Sequence, residues 1–280
     1  MRKIVITNEI KEEISKLLSI GKTPKKIADI LNISYPTVSS YLRNLGIKFR
    51  PSRGNENYFH SINSYAKAYI VGFIAADGAL VKTRTTTTLT ITIKYEDKAV
   101  LEFIKSEIGN THELQEVIRP SSFDKTKTIH HIRYTISSKI IEKDLNDLGI
   151  TSNKSLSMGN ILWRIPYKYR DAFIIGYFDG DGSVMCRDGL YPNDKGFMCR
   201  DYSLYIQIRG TYDFLKGICN HLNITESHIH QNDSIPKLSF ANKKDVIRLF
   251  NCYEHLPFYY KRKHDVFLKR INHTSFAKYR

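Results

Sequence analysis

Apolar residues follow two kinds of spacing along this chain, and the change of spacing divides it. From Thr7 to Ile47 the period is helical. Ile10, Ile14, Leu17 and Leu18 recur three and four apart, and Gly21 closes the run. Thr23 and Pro24 read as the N-cap and first-turn proline of a second helix carrying Ile27, Ala28, Ile30 and Leu31. That helix stops at Asn32-Ile33-Ser34. A third, with Val38, Tyr41, Leu42 and Leu45, ends at Gly46. Beyond residue 64 helical stretches alternate with period-two runs such as TTLTITIKY (87–95), IHHIRYTIS (129–137) and YSLYIQIR (202–209), the pattern of half-buried strands. Residues 48–64, rich in Gly, Pro, Asn, Ser and Arg, read as a linker.

The second region repeats itself. AYIVGFIAADGAL (68–80) and AFIIGYFDGDGSV (172–184) share an apolar stretch, a glycine, two bulky residues, two small or acidic residues and Asp-Gly. Each is followed by strands and helices in the same order, so each half reads as helix, β-hairpin, helix, β-hairpin, helix. In a helix, Gly72 and Ala76 share a face, as do Gly176 and Gly180, and such small stripes let two helices meet backbone to backbone. Gly78 and Gly182 are expected to end those helices in the left-handed conformation. Asp77 and Asp181 then stand beside unpaired carbonyls, including those of Ala76 and Gly180, in a hard negative site that suits Mg²⁺. Two buried helices with incidental Asp-Gly ends would give the motif once; its recurrence in matching surroundings favours a paired site.

Charge adds a partner. The formal net charge is +15, which favours a polyanion. Residues 1–60 hold 11 Lys and Arg against 5 Asp and Glu, and residues 257–280 hold seven against one. KKIADILNISYPTVSSYLRNLGI resembles a helix-turn-helix, with Ala28 at the helix crossing, Val38 and Leu42 as anchors, and Tyr35, Thr37, Ser39, Ser40 and Arg43 free to meet DNA. A protein-binding three-helix bundle is the plainer alternative. Arg50 and Arg53 in the linker are further DNA candidates.

IVGFIAADG (70–78) and IIGYFDGDG (174–182) resemble the paired motifs of the LAGLIDADG homing endonucleases, and TSNKS (151–155), WRIP (163–166) and YYKRKHDVF (259–267) resemble the family's connector and C-terminal segments. The resemblance covers residues 57–275 or thereabouts. It implies an α+β fold of two pseudo-symmetric αββαββα halves forming a DNA-binding saddle, beside the small all-α module. The expected boundaries are 1–47 for the helix-turn-helix, 48–64 for the linker, and 65–160 and 161–280 for the halves. It further implies site-specific double-strand cleavage of DNA, with Mg²⁺ or Mn²⁺ held by Asp77 and Asp181, the eighth motif positions. The sixth positions, Ala75 and Asp179, vary in that family.

Further residues follow from position. Lys94 and Arg209, at the ends of the first hairpins, and Lys139 and Lys243, after the second, are candidates to steady the phosphate. Thr86, Thr88, Thr90 and Thr92 on one strand face, and Tyr205, Gln207 and Arg209 on another, are candidate base readers. Lys154, Arg262 and Lys263 are expected to bind phosphates. His130-His131 and His228/His230 lack ligand partners in the sequence and read as non-catalytic, and the four cysteines form no C-x-x-C pair and read as reduced thiols. No apolar run is long enough to span a membrane and MRKIVITNEIKEE lacks a signal peptide's apolar core, so an intracellular protein is expected. One chain carrying both motifs points to a monomer on a long asymmetric duplex site. A DNA-binding transcription regulator that does not cut, and an RNA maturase, are the alternatives.

Overall fold

The computed structural model describes residues 6–20, 22–47, 54–84, 86–120, 124–152, 154, 158–192, 195–231 and 234–271. The chain forms two units, residues 1–54 with 109–112, and residues 55–108 with 113–280.

The smaller unit contains α1 (Asn8–Ser19), α2 (Pro24–Ile30) and α3 (Tyr35–Asn44). Each starts where a hydroxyl accepts a backbone N–H three residues on: Thr7 from Ile10, Thr23 from Lys26 and Ser34 from Thr37. Ile14, Leu17, Ile27, Ala28, Val38 and Leu42 form its core. Ile30 and Leu45 continue the apolar spacing yet lie exposed.

The larger unit is a duplication. Its first half runs α4 (Tyr65–Asp77), β1 (Gly78–Lys82), β2 (Thr87–Lys94), α5 (Lys98–Ile108), β3 (Gln115–Pro120), β4 (Thr128–Ser137) and α6 (Lys139–Asp147). The second runs α7 (Arg170–Asp181), β5 (Gly182–Pro192), β6 (Met198–Arg209), α8 (Tyr212–Leu222), β7 (Ile229–His230), β8 (Lys237–Phe240) and α9 (Lys243–Asn251), followed by α10 (Lys261–Ile271). Each half builds one antiparallel sheet, in the orders β1-β2-β4-β3 and β5-β6-β8-β7. The expected αββαββα pattern is therefore present twice. In β2 the expected alternation holds: Leu89, Ile91 and Ile93 are buried while Thr88, Thr90 and Thr92 are half-exposed on the other face. The hairpin β5–β6 is much longer than its counterpart, paired from Gly182↔Ile208 to Pro192↔Met198.

α4 and α7 are apolar around almost their whole circumference because each is buried on all sides; every residue from Ala68 to Ala75 and from Ala172 to Asp179 is buried, Asp179 alone among them being charged. Glycine sets how close they come. A Cβ on Gly72 would collide with the Phe173 carbonyl, and one on Gly176 with the Tyr69 carbonyl. The glycines thus face each other's backbones reciprocally, as the stripe of small residues led us to expect.

Gly78 and Gly182 are not left-handed. Both are extended (φ −74° and −84°) and begin β1 and β5 directly. Their requirement for glycine is steric: a Cβ would strike Ile74 in one half and Phe178 in the other. The helix turns straight into strand, so each terminal aspartate is fixed between two rigid elements.

Replacing Gly72 or Gly176 by alanine is expected to destabilise the protein by about 3 kcal/mol, because the clash is with backbone that cannot yield. Gly159→Ala, where nothing lies within 4 Å of the new methyl, is expected to stay within about 0.5 kcal/mol. Thermal and urea unfolding of the three variants check this.

Candidate functional site

Asp77 and Asp181 are the last residues of α4 and α7, and close helix packing brings them together. A Cβ on Gly180 would lie 3.3 Å from Asp77 Oδ2. Each carboxylate responds to its surroundings by holding its proton more tightly. Burial, then the Asp181 charge, pushes the Asp77 pKa up to about 6, against the pull of Lys154 and Lys263. Asp181, the more exposed of the two, is raised by desolvation and lowered by the same two lysines.

Those lysines are the largest departure from expectation. Lys154 and Lys263 do not project to solvent toward phosphates; they are 7% and 5% exposed. Lys154 Nζ donates to the carbonyls of Ile74 (2.8 Å), Ala75 (2.6 Å) and Ala76 (2.5 Å). Lys263 Nζ donates to Phe178 (2.6 Å), Asp179 (2.7 Å) and Gly182 (2.6 Å). Each ammonium therefore caps the C-terminus of one motif helix, where the dipole is negative. Of the two carbonyls expected to be free as metal ligands, Ala76 O already has a donor, while the Lys263 bonds go to Phe178, Asp179 and Gly182 rather than to Gly180. Burial lowers both lysine pKa values to about 8, opposed by Asp181 and Asp77 at Lys154 and by Asp179 first, then Asp77 and Asp97, at Lys263. Arg262, the third expected phosphate contact, forms a two-pronged pair with Asp97 at 2.8 and 2.9 Å.

Lys94, Arg209, Lys139 and Lys243 occupy the element ends foreseen for them: the last residues of β2 and β6 and the first of α6 and α9. The basic groups that act on both aspartates are instead Lys154 and Lys263. A sequence signal existed for these two, since each follows its half in an equivalent segment, TSNKS and YYKRK.

The outward sheet faces carry the foreseen readers. Thr88, Thr90 and Thr92 face Ser137, Thr135 and Arg133 across the β2–β4 ladder, and Lys94 faces His131. Thr88 shares a hydroxyl hydrogen bond with Ser137 (2.7 Å), and Arg133 Nε donates to Thr92 (3.1 Å). Thr86, exposed, precedes the strand and accepts from Thr83. In the second sheet Tyr205 and Gln207 are half-exposed and Arg209 exposed. His130 stacks on Tyr95 and meets Glu116, while His228 meets Asn242 and Asp245. Cys186, Cys219 and Cys252 are free thiols. No described helix is long and apolar enough to cross a membrane.

On α3, Tyr35, Ser40 and Arg43 are exposed and Thr37 and Ser39 partly so. The Thr37 hydroxyl is shared with Ser34 at the helix cap. Arg50 and Arg53 lie outside the described residues. Residues 12–52 match the family model of bacterial regulatory proteins, luxR family. The smaller unit is a helix-turn-helix.

Among solved structures, the chain is similar to the meganuclease I-SmaMI bound to uncleaveable DNA (15% identity, 72% of this chain and 88% of that chain, TM-score 0.47). It is also similar to the LAGLIDADG meganuclease I-AabMI bound to uncleaved DNA (14%, 72% and 88%, 0.48) and the I-LtrWI LAGLIDADG homing endonuclease bound to target DNA (15%, 69% and 84%, 0.43). No curated protein matches the chain.

The raised Asp77 pKa carries a stability consequence. The folded value, about 6, exceeds the ordinary carboxyl value of 3.8, so the native state binds the extra proton between these limits and stability falls as pH rises through that window. Asp77→Asn is expected to stabilise the metal-free protein by about 1–3 kcal/mol at pH 7.5 and by almost nothing at pH 4. Urea titrations in chelator at both pH values test this.

Proposed function

We propose that the chain is a site-specific double-strand DNA endonuclease of the LAGLIDADG homing type, with its chemistry at Asp77 and Asp181. The observation that carries the reading is the convergence of two carboxylates at the joint end of two glycine-spaced helices, with a buried lysine behind each. The donor set fits a hard divalent cation, because half-buried Asp77 bears both desolvation and its neighbour's charge, penalties that a cation relieves. Among the described residues no three His, Cys, Asp or Glu side chains form a self-contained metal site. The remaining ligands would therefore come from the Gly180 carbonyl, water and the phosphate itself, the Ala76 carbonyl being held by Lys154. Mg²⁺ or Mn²⁺ bound there supplies charge neutralisation at the scissile phosphate, an activated water and stabilisation of the departing 3′ oxygen.

The chain's own groups do the rest. Asp77 and Asp181 orient the reacting phosphates, each serving mainly one strand. Lys154 and Lys263 anchor the two helix ends and offset the carboxylate charge. Lys94, Arg209, Lys139 and Lys243 stand as outer phosphate contacts. Threonines 86, 88, 90 and 92, with Tyr205 and Gln207, read base edges, and α3 adds contacts through Tyr35, Ser39, Ser40 and Arg43. The protein acts as a monomer on a long asymmetric duplex.

The match of residues 12–52 to regulatory proteins favours one second reading, a DNA-binding regulator that does not cut. Incubating purified protein with a genomic or randomised duplex library and Mg²⁺ separates the two. We expect cutting of both strands at one long site, falling by about 10³-fold or more in Asp77→Asn or Asp181→Asn with binding retained. Tight binding by the wild type without a cut in Mg²⁺ or Mn²⁺ would replace the nuclease with the regulator. Arg43→Ala is expected to weaken binding by about 1 kcal/mol and, if Arg43 meets a phosphate, to reduce the salt dependence of affinity by about one unit, read from binding isotherms at several salt concentrations.

A further inference from the structure

The motif repeat is broken at two places that meet each other. Aligned on their aspartates, Tyr69 of α4 corresponds to Phe173 of α7, and Ala75 of α4 to Asp179 of α7. In the folded chain Tyr69 and Asp179 touch: the Tyr69 hydroxyl donates to Asp179 Oδ2 at 2.8 Å. The mirror-related pair, Phe173 and Ala75, has no polar atom with which to make that bond. The same Asp179 oxygen accepts the backbone N–H of Tyr260 at 2.7 Å. Asp179 is 1% exposed, and its other oxygen has no partner.

A buried carboxylate is a poor packing element, and the mirror position does without one. What it gains here is a grip on the C-terminal segment. Tyr260 begins the turn that delivers Lys263, whose N–H bonds to the Tyr260 carbonyl at 3.0 Å. The Tyr260 ring packs edge-on against Phe73 of α4 and lies under the Arg262 guanidinium. In the first half Lys154 sits in an equivalent turn, its N–H on Thr151 O at 3.2 Å, reaching the α4 carbonyls, with alanine at the position corresponding to Asp179.

We infer that Asp179 is a positioning residue, which clamps the Tyr260–Lys263 turn between α4 and α7 so that Lys263 reaches the α7 terminus, and that the two half-sites are unequal because only the second motif carries a carboxylate at this position. Its consequence for cutting rests on the nuclease reading above; its consequence for Lys263 does not. Without the Asp179 oxygen the Tyr260 N–H is a buried donor left unpaired, and the turn moves to satisfy it.

The test uses the full chain and three proteins: wild type, Asp179→Asn, and the double variant Tyr69→Phe/Asp179→Ala, which copies the apolar pair already tolerated at the mirror position. Lysine acylation by an N-hydroxysuccinimide ester, followed site by site by mass spectrometry, reads the placement of each ammonium. We expect Lys263 to be labelled about tenfold faster in the double variant while Lys154 stays as protected as in the wild type. Asp179→Asn keeps an acceptor oxygen and is expected to retain wild-type protection. Unchanged Lys263 labelling in the double variant, or equal loss of protection at Lys154 and Lys263, would overturn the clamp. On a cleavable duplex labelled on both strands, the double variant is expected to slow one strand about tenfold more than the other and to accumulate nicked DNA; equal slowing of both strands contradicts the inequality. A wild type that cuts nothing fails the nuclease reading, and the labelling result still decides the clamp.

Discussion

Backbone contact between α4 and α7 is the constraint from which the rest of the larger unit follows. Gly72 lies on the Phe173 carbonyl and Gly176 on the Tyr69 carbonyl, so neither position has room for a methyl group. Close approach of two helix axes forces their C-termini together, and each helix ends in an aspartate. Two carboxylates and two negative helix ends in one place are electrostatically unfavourable. The molecule offsets part of this with two buried ammonium groups, each spread over three carbonyls. The cost that remains shows in the raised pKa of Asp77.

The sheets follow from the same ends. Because Gly78 and Gly182 are extended, each motif helix passes into the first strand of its sheet without a loop. The carboxylates are thus held at the root of two four-stranded sheets whose outward faces include threonine, glutamine, arginine and lysine. That geometry couples a chemical centre to long polar surfaces on both sides of it. It suits a linear polyanion better than a small substrate.

Most of this architecture was legible in the sequence, because it rests on short-range periodicity. The helix stripe of glycine and alanine, the alternation in β2, and the N-cap at Thr23 each follow from local spacing. What was not legible depends on distant residues meeting. The Asp-Gly pairs looked like ordinary left-handed helix ends, and only the packing of Ile74 and Phe178 over Gly78 and Gly182 reveals that the glycines are needed for space. Lys154 and Lys263 looked like surface charges because lysine is rarely buried; their partners are carbonyls about eighty residues earlier. Strand β5 runs through Asp188-Gly189, a dipeptide that reads locally as a turn, so the length of the second hairpin depends on its pairing with β6. Asp179 looked like tolerated variation, and its importance emerges only when Tyr69 and Tyr260 are seen to share one of its oxygens.

The physical claim beneath all of this is that Asp77 and Asp181 share one site. Carboxyl-carbon NMR titration of Asp77, in the wild type and in Asp181→Asn without divalent metal, measures it directly. We expect Asp77 to titrate near pH 6 in the wild type and to move part of the way toward 3.8 when the neighbouring charge is removed. A wild-type value already near 3.8 would mean that Asp77 is not held in a desolvated site, and one that the Asp181 substitution leaves unchanged would mean that the carboxylates do not converge.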